Sequence, residues 1–212
     1  MQTETPVPED EPSLYYVGDP MCSWCWGFAP VLEAVETEIA GRIAIRHVMG
    51  GLAPDSDEPM PEETRQYIRQ AWQAVAQVTG AEFNWDFWEL CEPRRSTYPA
   101  CRAVLAADLQ GAGPAMYRAI QRAYYVQARN PSDPDTLVSL AEQSGLDRER
   151  FARDLGTPET ERRLQMDFQL RRKLGVREFP SLVIECGDSR DVIMRGYGDA
   201  DSVLSALRPV LR

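Results

Sequence analysis

The chain is 212 residues long, a size that holds one core with at most an inserted lobe and excludes a large multidomain assembly. Its 43% hydrophobic and 26% charged residues exclude an intrinsically disordered or collagen-like chain, and apolar runs such as Leu182-Val183-Ile184 are far shorter than the ~20 residues that span a bilayer. With 23 basic against 33 acidic residues the net charge is −10, which repels nucleic-acid phosphates and anionic lipids, so neither nucleic acid nor membrane is an expected partner.

Met1 to Pro12 is acidic and proline-rich, without a basic start or an apolar h-region, and reads as a disordered tail with no secretory signal. With Met1 as the natural start, the expected location is the cytoplasm, where a CxxC is catalytic or metal-binding rather than structural. Five cysteines, an odd count, do not suit a fully paired disulfide scaffold. Leu14-Tyr15-Tyr16-Val17 predicts a buried strand stopped by Gly18-Asp19-Pro20, and Phe28, Val31, Leu32, Val35 and Ile39 recur at helical spacing up to Gly41. Ile43 to Met49 alternates as a second strand ended by Gly50-Gly51.

From Ala53 to Gly175 the strand signal vanishes. Helices are predicted over Pro61 to Thr79, Thr97 to Gln110, from Pro114, from Asp133-Pro134 to Gly145, over Asp147 to Leu155, and from Thr157-Pro158 to Gly175. Strands return at Ser181 to Cys186 and Asp191 to Arg195 around the turn Gly187 to Arg190, and a last helix covers Asp201 to Leu211. The fold class is α/β, one small sheet (β-α-β … β-β-α) split by an all-helical insertion. The expected division is a tail at 1–12, the first part of the core at 13–53, the helical domain at 54–156 and the second part of the core at 157–212.

Cys22-Ser23-Trp24-Cys25 lies where the first strand meets the first helix, and two intervening residues let one helical turn bring both sulfurs within bonding reach. Unpaired backbone N–H groups converge on the first cysteine and lower its pKa from about 8.5 toward roughly 3.5–7.5. A shift of two units is about 2.7 kcal/mol, whereas a helix dipole supplies about 0.3–1 and at best about 2, so direct N–H···S⁻ bonds must provide the rest. Pro30 falls inside this helix; the reading favoured here is one kinked helix from Cys22 to Ile39, because a helix starting at Pro30 strands Cys22 in a loop.

The segment Tyr16-Val17-Gly18-Asp19-Pro20-Met21-Cys22-Ser23-Trp24-Cys25-Trp26-Gly27-Phe28-Ala29-Pro30 resembles the active-site segment of DsbA-like thioredoxin-fold oxidoreductases, with the FrnE-like protein-disulfide isomerases as the nearest subgroup. Gly175-Val176-Arg177-Glu178-Phe179-Pro180 is similar to that family's cis-proline loop, and Pro99-Ala100-Cys101-Arg102-Ala103-Val104 to a segment of its helical insert. The likeness runs from Leu14 to the last helix. It implies a thioredoxin core with an inserted helical domain, Cys22 as attacking thiolate, Cys25 as resolving thiol and a cis Pro180 facing them. It also implies that the Phe179 backbone pairs with an extended substrate peptide. Ser-Trp between the cysteines, without the histidine of DsbA proper, weakens the case for a strong oxidant.

Trp24 and Trp26 flank Cys25 and offer an apolar platform for peptide or glutathione; Trp26 reads equally as core. Cys91, Cys101 and Cys186 read as small apolar core residues, with Cys101 kept as an accessory candidate because a thiol near a helix start can have a lowered pKa. His47, the lone histidine, reads as structural, which excludes histidine-dependent triads. Trp72, Phe83, Trp85, Phe87 and Trp88 read as helix packing. Arg94, Arg95 and Arg102 are candidates to hold a carboxylate, and Gly50-Gly51 to admit a ligand close to backbone.

The expected function is thiol–disulfide exchange on protein or small-molecule disulfides and dithiols, with a separate redox partner, no metal and no resident cofactor, glutathione entering at most as co-substrate. The alternatives are a glutathione-dependent isomerase or transferase of the 2-hydroxychromene-2-carboxylate isomerase type, and a zinc-dependent or chaperone-like binding module.

Overall fold

The computed structural model describes residues 12–211, so the tail expected at 1–12 falls almost wholly outside the described residues. Strand β1 (Ser13–Gly18) leads into helix α1 (Ser23–Ile39), which returns to β2 (Ala44–Met49). β1 and β2 are parallel, Ser13 opposite Ala44 and Gly18 opposite Met49, as a β-α-β crossover requires. After β2 come six helices, α2 (Glu62–Thr79), α3 (Phe87–Leu90), α4 (Tyr98–Asp108), α5 (Gly113–Tyr125), α6 (Pro134–Gln143) and α7 (Arg148–Leu155). Helix α8 (Pro158–Lys173) brings the chain back to the sheet as β3 (Ser181–Cys186) and β4 (Ser189–Arg195), and α9 (Ala200–Leu207) follows. The sheet order is β2-β1-β3-β4, with β3 antiparallel to both neighbours. This is the α/β fold with a helical insertion that the element order predicted.

Alternation along β1 divides the core. Leu14 and Tyr16 face a large apolar cluster that includes Phe28 and Leu32 of α1 and Met116, Tyr117 and Ile120 of α5. Val17 faces the other way, onto Val48, Leu174, Val176 and Val183. Trp72 of α2 is fully buried, its ring 5.0–5.8 Å from those of Phe83, Trp85, Phe87 and Trp88, so the aromatic group is packing, as read.

Four local expectations are corrected. The β3–β4 turn is the two-residue Gly187-Asp188, with Gly187 at φ 54°, so β4 starts at Ser189 rather than at Asp191. The last helix stops at Leu207 and becomes a 3₁₀ turn over Arg208–Val210, because Pro209 has no N–H to continue the ladder. Asp133 does stand at the N-cap of α6, but its carboxylate makes no capping bond; it faces Arg94, 2.5 Å away. Phe87–Leu90 is a short helix within the aromatic run that the spacing did not suggest.

Candidate active site

Cys22 is the N-cap of α1, with extended backbone (φ −87°, ψ 119°), and α1 runs unbroken through Pro30. Its N–H donates to Asp19 O at 3.0 Å and its own carbonyl accepts from Trp26 N at 3.0 Å, so the loop closes onto the helix with the sulfur at its open end. The thiol is held below its ordinary range. The Cys25 thiol beside it is the largest cause and the N–H groups of Cys25 and Trp24 add to it, against burial and the Asp19 charge. Cys25 moves the other way, well above its ordinary range, because it is fully buried and faces the Cys22 sulfur. Of the two sulfurs, Cys22 is therefore the readier to ionise and Cys25 the slower to give up its proton.

A carboxylate lies beneath the pair. Asp19, with no exposed surface, accepts through Oδ1 from Met21 N (2.8 Å) and through Oδ2 from Leu52 N (2.7 Å), Thr97 Oγ1 (2.7 Å) and Cys101 Sγ (3.6 Å). Burial raises its pKa and these donors oppose the rise. Cys101 opens no second thiolate site: burial and Asp19 push its thiol well up, opposite to the direction suggested by its place near a helix start.

Opposite Cys22 stands the loop ahead of β3. The Phe179–Pro180 bond is cis, and the Phe179 carbonyl lies 3.8 Å from Cys22 Sγ, which donates to it. The Phe179 ring lies over Gly50, where a Cβ would meet it at 2.6 Å, and the Arg171 guanidinium sits 5.7 Å from the ring centre. Gly51, at φ 66°, is approached in the same way by Phe168. The close approach at Gly50-Gly51 is therefore by the protein's own aromatic rings.

Across these elements the site joins a cysteine pair at a helix start to a cis-proline loop. A family model described as thioredoxin matches residues 15–198. The chain belongs to the thioredoxin family. Within it the solved relatives are DsbA-like: a candidate protein disulfide isomerase from Nitrosomonas europaea superposes with a TM-score of 0.84 at 33% identity, covering 94% of this chain and 97% of that one. The cytosolic disulfide reductase DsbM from Pseudomonas aeruginosa gives 0.79 at 30% identity, covering 94% and 98%. Among curated proteins, the ClpXP adapter protein SpxH of Halalkalibacterium halodurans is 27% identical over 176 residues, 80% of this chain and 57% of its own length. The chain thus spans under three fifths of that relative.

The thioredoxin-family site brings Cys22, Cys25, Phe179 and Pro180 together and places Trp24 next to Cys22, its ring 6.0 Å from Tyr197. Trp26 points away: it stacks on Tyr125 at 5.7 Å and donates Nε1–H to Glu82 O at 3.0 Å, tying α1 to the helical region. Arg102 is committed to Asp55 and Glu161, and Arg94 to Asp133 and the Ser132 carbonyl, so neither guanidinium is open to a carboxylate ligand. Cys186 is exposed at the end of β3, which corrects its reading as core, while Cys91 is half-buried against the main apolar cluster. Asp19 and Thr97 went unrecognised: Gly18-Asp19-Pro20 carries only the signal of a strand stop, and Thr97 only that of a helix start. No helix among the described residues is long and apolar enough to cross a membrane.

Proposed function

We propose that this protein is a thiol–disulfide oxidoreductase in which Cys22 attacks a substrate disulfide, a mixed disulfide forms, and Cys25 attacks Cys22 to release the substrate thiol. The observation that carries this reading is the geometry at the start of α1: Cys22 at the N-cap with its sulfur 3.8 Å from the Phe179 carbonyl of the cis-proline loop, and Cys25 fully buried three residues on. With its thiol pKa lowered and that of Cys25 raised, Cys22 is the readier nucleophile of the two and the better leaving group in the reverse step. The Phe179 backbone lines the approach, so an extended peptide is the favoured protein substrate.

Reduction of disulfides in the cytoplasm, with glutathione as co-substrate, is the favoured direction; DsbM is a cytosolic reductase also solved with GSH, 30% identical over 94% of this chain. The test is insulin reduction and dithiol oxidation by the wild type and by Cys22→Ala, with Cys25→Ala used to trap the mixed disulfide. Loss of both activities in Cys22→Ala supports exchange. Glutathione-dependent turnover that persists in Cys25→Ser favours the isomerase or transferase reading. The similarity to the SpxH adapter favours a second reading, capture of a protein partner without turnover; in that case partner binding survives Cys22→Ala.

A further inference from the structure

Resolution requires Cys25 to lose a proton, yet its sulfur is fully buried. The Asp19 carboxylate is already engaged, Oδ1 by one donor and Oδ2 by three, and none of these four donors is Cys25. A cavity of about 560 Å³ reaches Cys25 from the opposite side, between α1, β2 and α5, lined by Tyr16, His47, Tyr117 and Gln121 and rimmed by the exposed Glu33 and Arg118. Tyr16 Oη lies 3.3 Å from Tyr117 Oη, and the His47 ring stands 5.3 and 5.8 Å from the two phenol rings. His47 Nε2 faces Glu36 Oε1 at 3.4 Å. Two buried polar atoms of residues lining this cavity have no protein partner, His47 Nδ1 and the amide nitrogen of the 1%-exposed Gln121.

We propose that Tyr16, Tyr117 and His47 form a proton route that drains Cys25 into this cavity during resolution, a step that rests on the exchange reading above. While the Cys22 sulfur is free, the Cys25 proton is shared with it; once Cys22 is bonded to substrate sulfur, that acceptor is gone and the Tyr16 hydroxyl, in the wall of the same cavity as Cys25, takes its place. The Cys25 proton passes to Tyr16 Oη as the Tyr16 proton passes to Tyr117 Oη and the Tyr117 proton leaves into the cavity. With Nε2–H donated to Glu36, the Nδ1 lone pair of His47 is the acceptor there. The Cys25 thiolate then forms the S–S bond with Cys22, the bond from Cys22 to substrate sulfur breaks, and the substrate leaves as a thiolate. Until the S–S bond forms, the Tyr16 hydroxyl, now carrying the former Cys25 proton, donates to the Cys25 thiolate. Tyr16 shares the cavity wall with the reacting sulfur; Tyr117 and His47 act through it.

The ionisable groups facing Cys25 are Cys22, Asp19, Tyr16, Tyr117 and Tyr125. Those around His47 are Glu33, Glu36, Arg118 and Arg122 in this cavity, and Arg46, Asp108, Arg162, Arg163 and Asp167 in a second cavity that His47 also lines.

The test reacts excess reduced protein, in a Cys91→Ser/Cys186→Ser background, with 5,5′-dithiobis(2-nitrobenzoate). The first released thiolate reports attack by Cys22 and the second reports resolution by Cys25. In Tyr16→Phe and in Tyr117→Phe the second phase is expected to slow at least about tenfold at pH 7 and recover at pH 9, where hydroxide removes the proton directly, while the first phase is preserved. The double variant is expected to be no slower than Tyr16→Phe, and Tyr15→Phe, on the opposite face of β1, to change neither phase. An unchanged second phase in either single variant overturns the route. A slowdown that persists at pH 9 marks damaged packing and overturns it as well. An unchanged second phase in His47→Gln overturns the His47 leg. Absence of the first phase in the parent protein sinks the exchange reading instead.

Discussion

Cys22 and Cys101 stand in similar local positions, one at the N-cap of α1 and the other in the first turns of α4, and their thiols move in opposite directions. At Cys22 the free N–H groups of the helix and the Cys25 thiol all donate toward sulfur. At Cys101 the space ahead of the sulfur holds the Asp19 carboxylate, with Asp167 adding further negative charge, and the thiol becomes the donor. A helix start supplies partial positive charge, worth about 0.3–1 kcal/mol; full burial or an adjacent carboxylate outweighs it. What occupies the space beside the sulfur therefore decides its chemistry.

The contrast breaks most visibly by exchanging the consequences of loss. Cys22→Ser is expected to bring disulfide exchange down to the uncatalysed background, while Cys101→Ser keeps exchange near wild type; comparable losses in the two, measured by insulin reduction, would remove the distinction. Alkylation sharpens it: iodoacetamide should modify Cys22 with a pH midpoint below that of an ordinary thiol, and Cys101 should stay unreacted in the folded protein at that pH.

The carboxylate side of the comparison is read in stability. Asp167, 6% exposed and accepting from Met49 N at 2.8 Å, has its pKa raised by burial from 3.8 to about 6. A raised carboxyl pKa means that the folded state binds the proton more tightly, so stability falls as pH climbs from about 4 to about 6, by about 3 kcal/mol in all. Denaturant titrations of Asp167→Asn should lack that slope; an identical slope would show that other groups carry it.

Smaller effects separate the rest. Asp19→Asn leaves N–H donors facing an amide NH₂ and should cost about 1–3 kcal/mol, while removing a negative charge behind Cys22 so that its thiol pKa falls further; a rise in that pKa would contradict the electrostatics argued here. Cys101→Ala should cost only about 1–2 kcal/mol, for a small cavity and one weak donor, and a thermal melt together with an exchange assay reads both.

Much of this was legible along the chain. The helices expected to begin at Thr157 and Asp147 do begin there, each residue capping its helix by accepting from Thr160 N and Arg150 N, and the cysteine pair lies at the helix start where the strand ends. The failures are long-range. Asp133 looked like a cap until Arg94, far away in sequence, claimed its carboxylate. Trp26 read equally as platform and as core, and only the Tyr125 ring stacked on it decided for core.

The order of strands and helices, the place of the CxxC and the negative surface charge follow from the sequence alone, because periodicity, caps and composition act over a few neighbouring residues. Which thiol ionises, what lies under Cys25 and which rings cover Gly50-Gly51 were decided only in three dimensions. Asp19 meets Cys101 across 82 residues, Tyr16 meets Tyr117 across 101, and Cys22 meets Phe179 across 157. Electrostatics and burial act through space, so these groups acquire their properties only when packing brings them together.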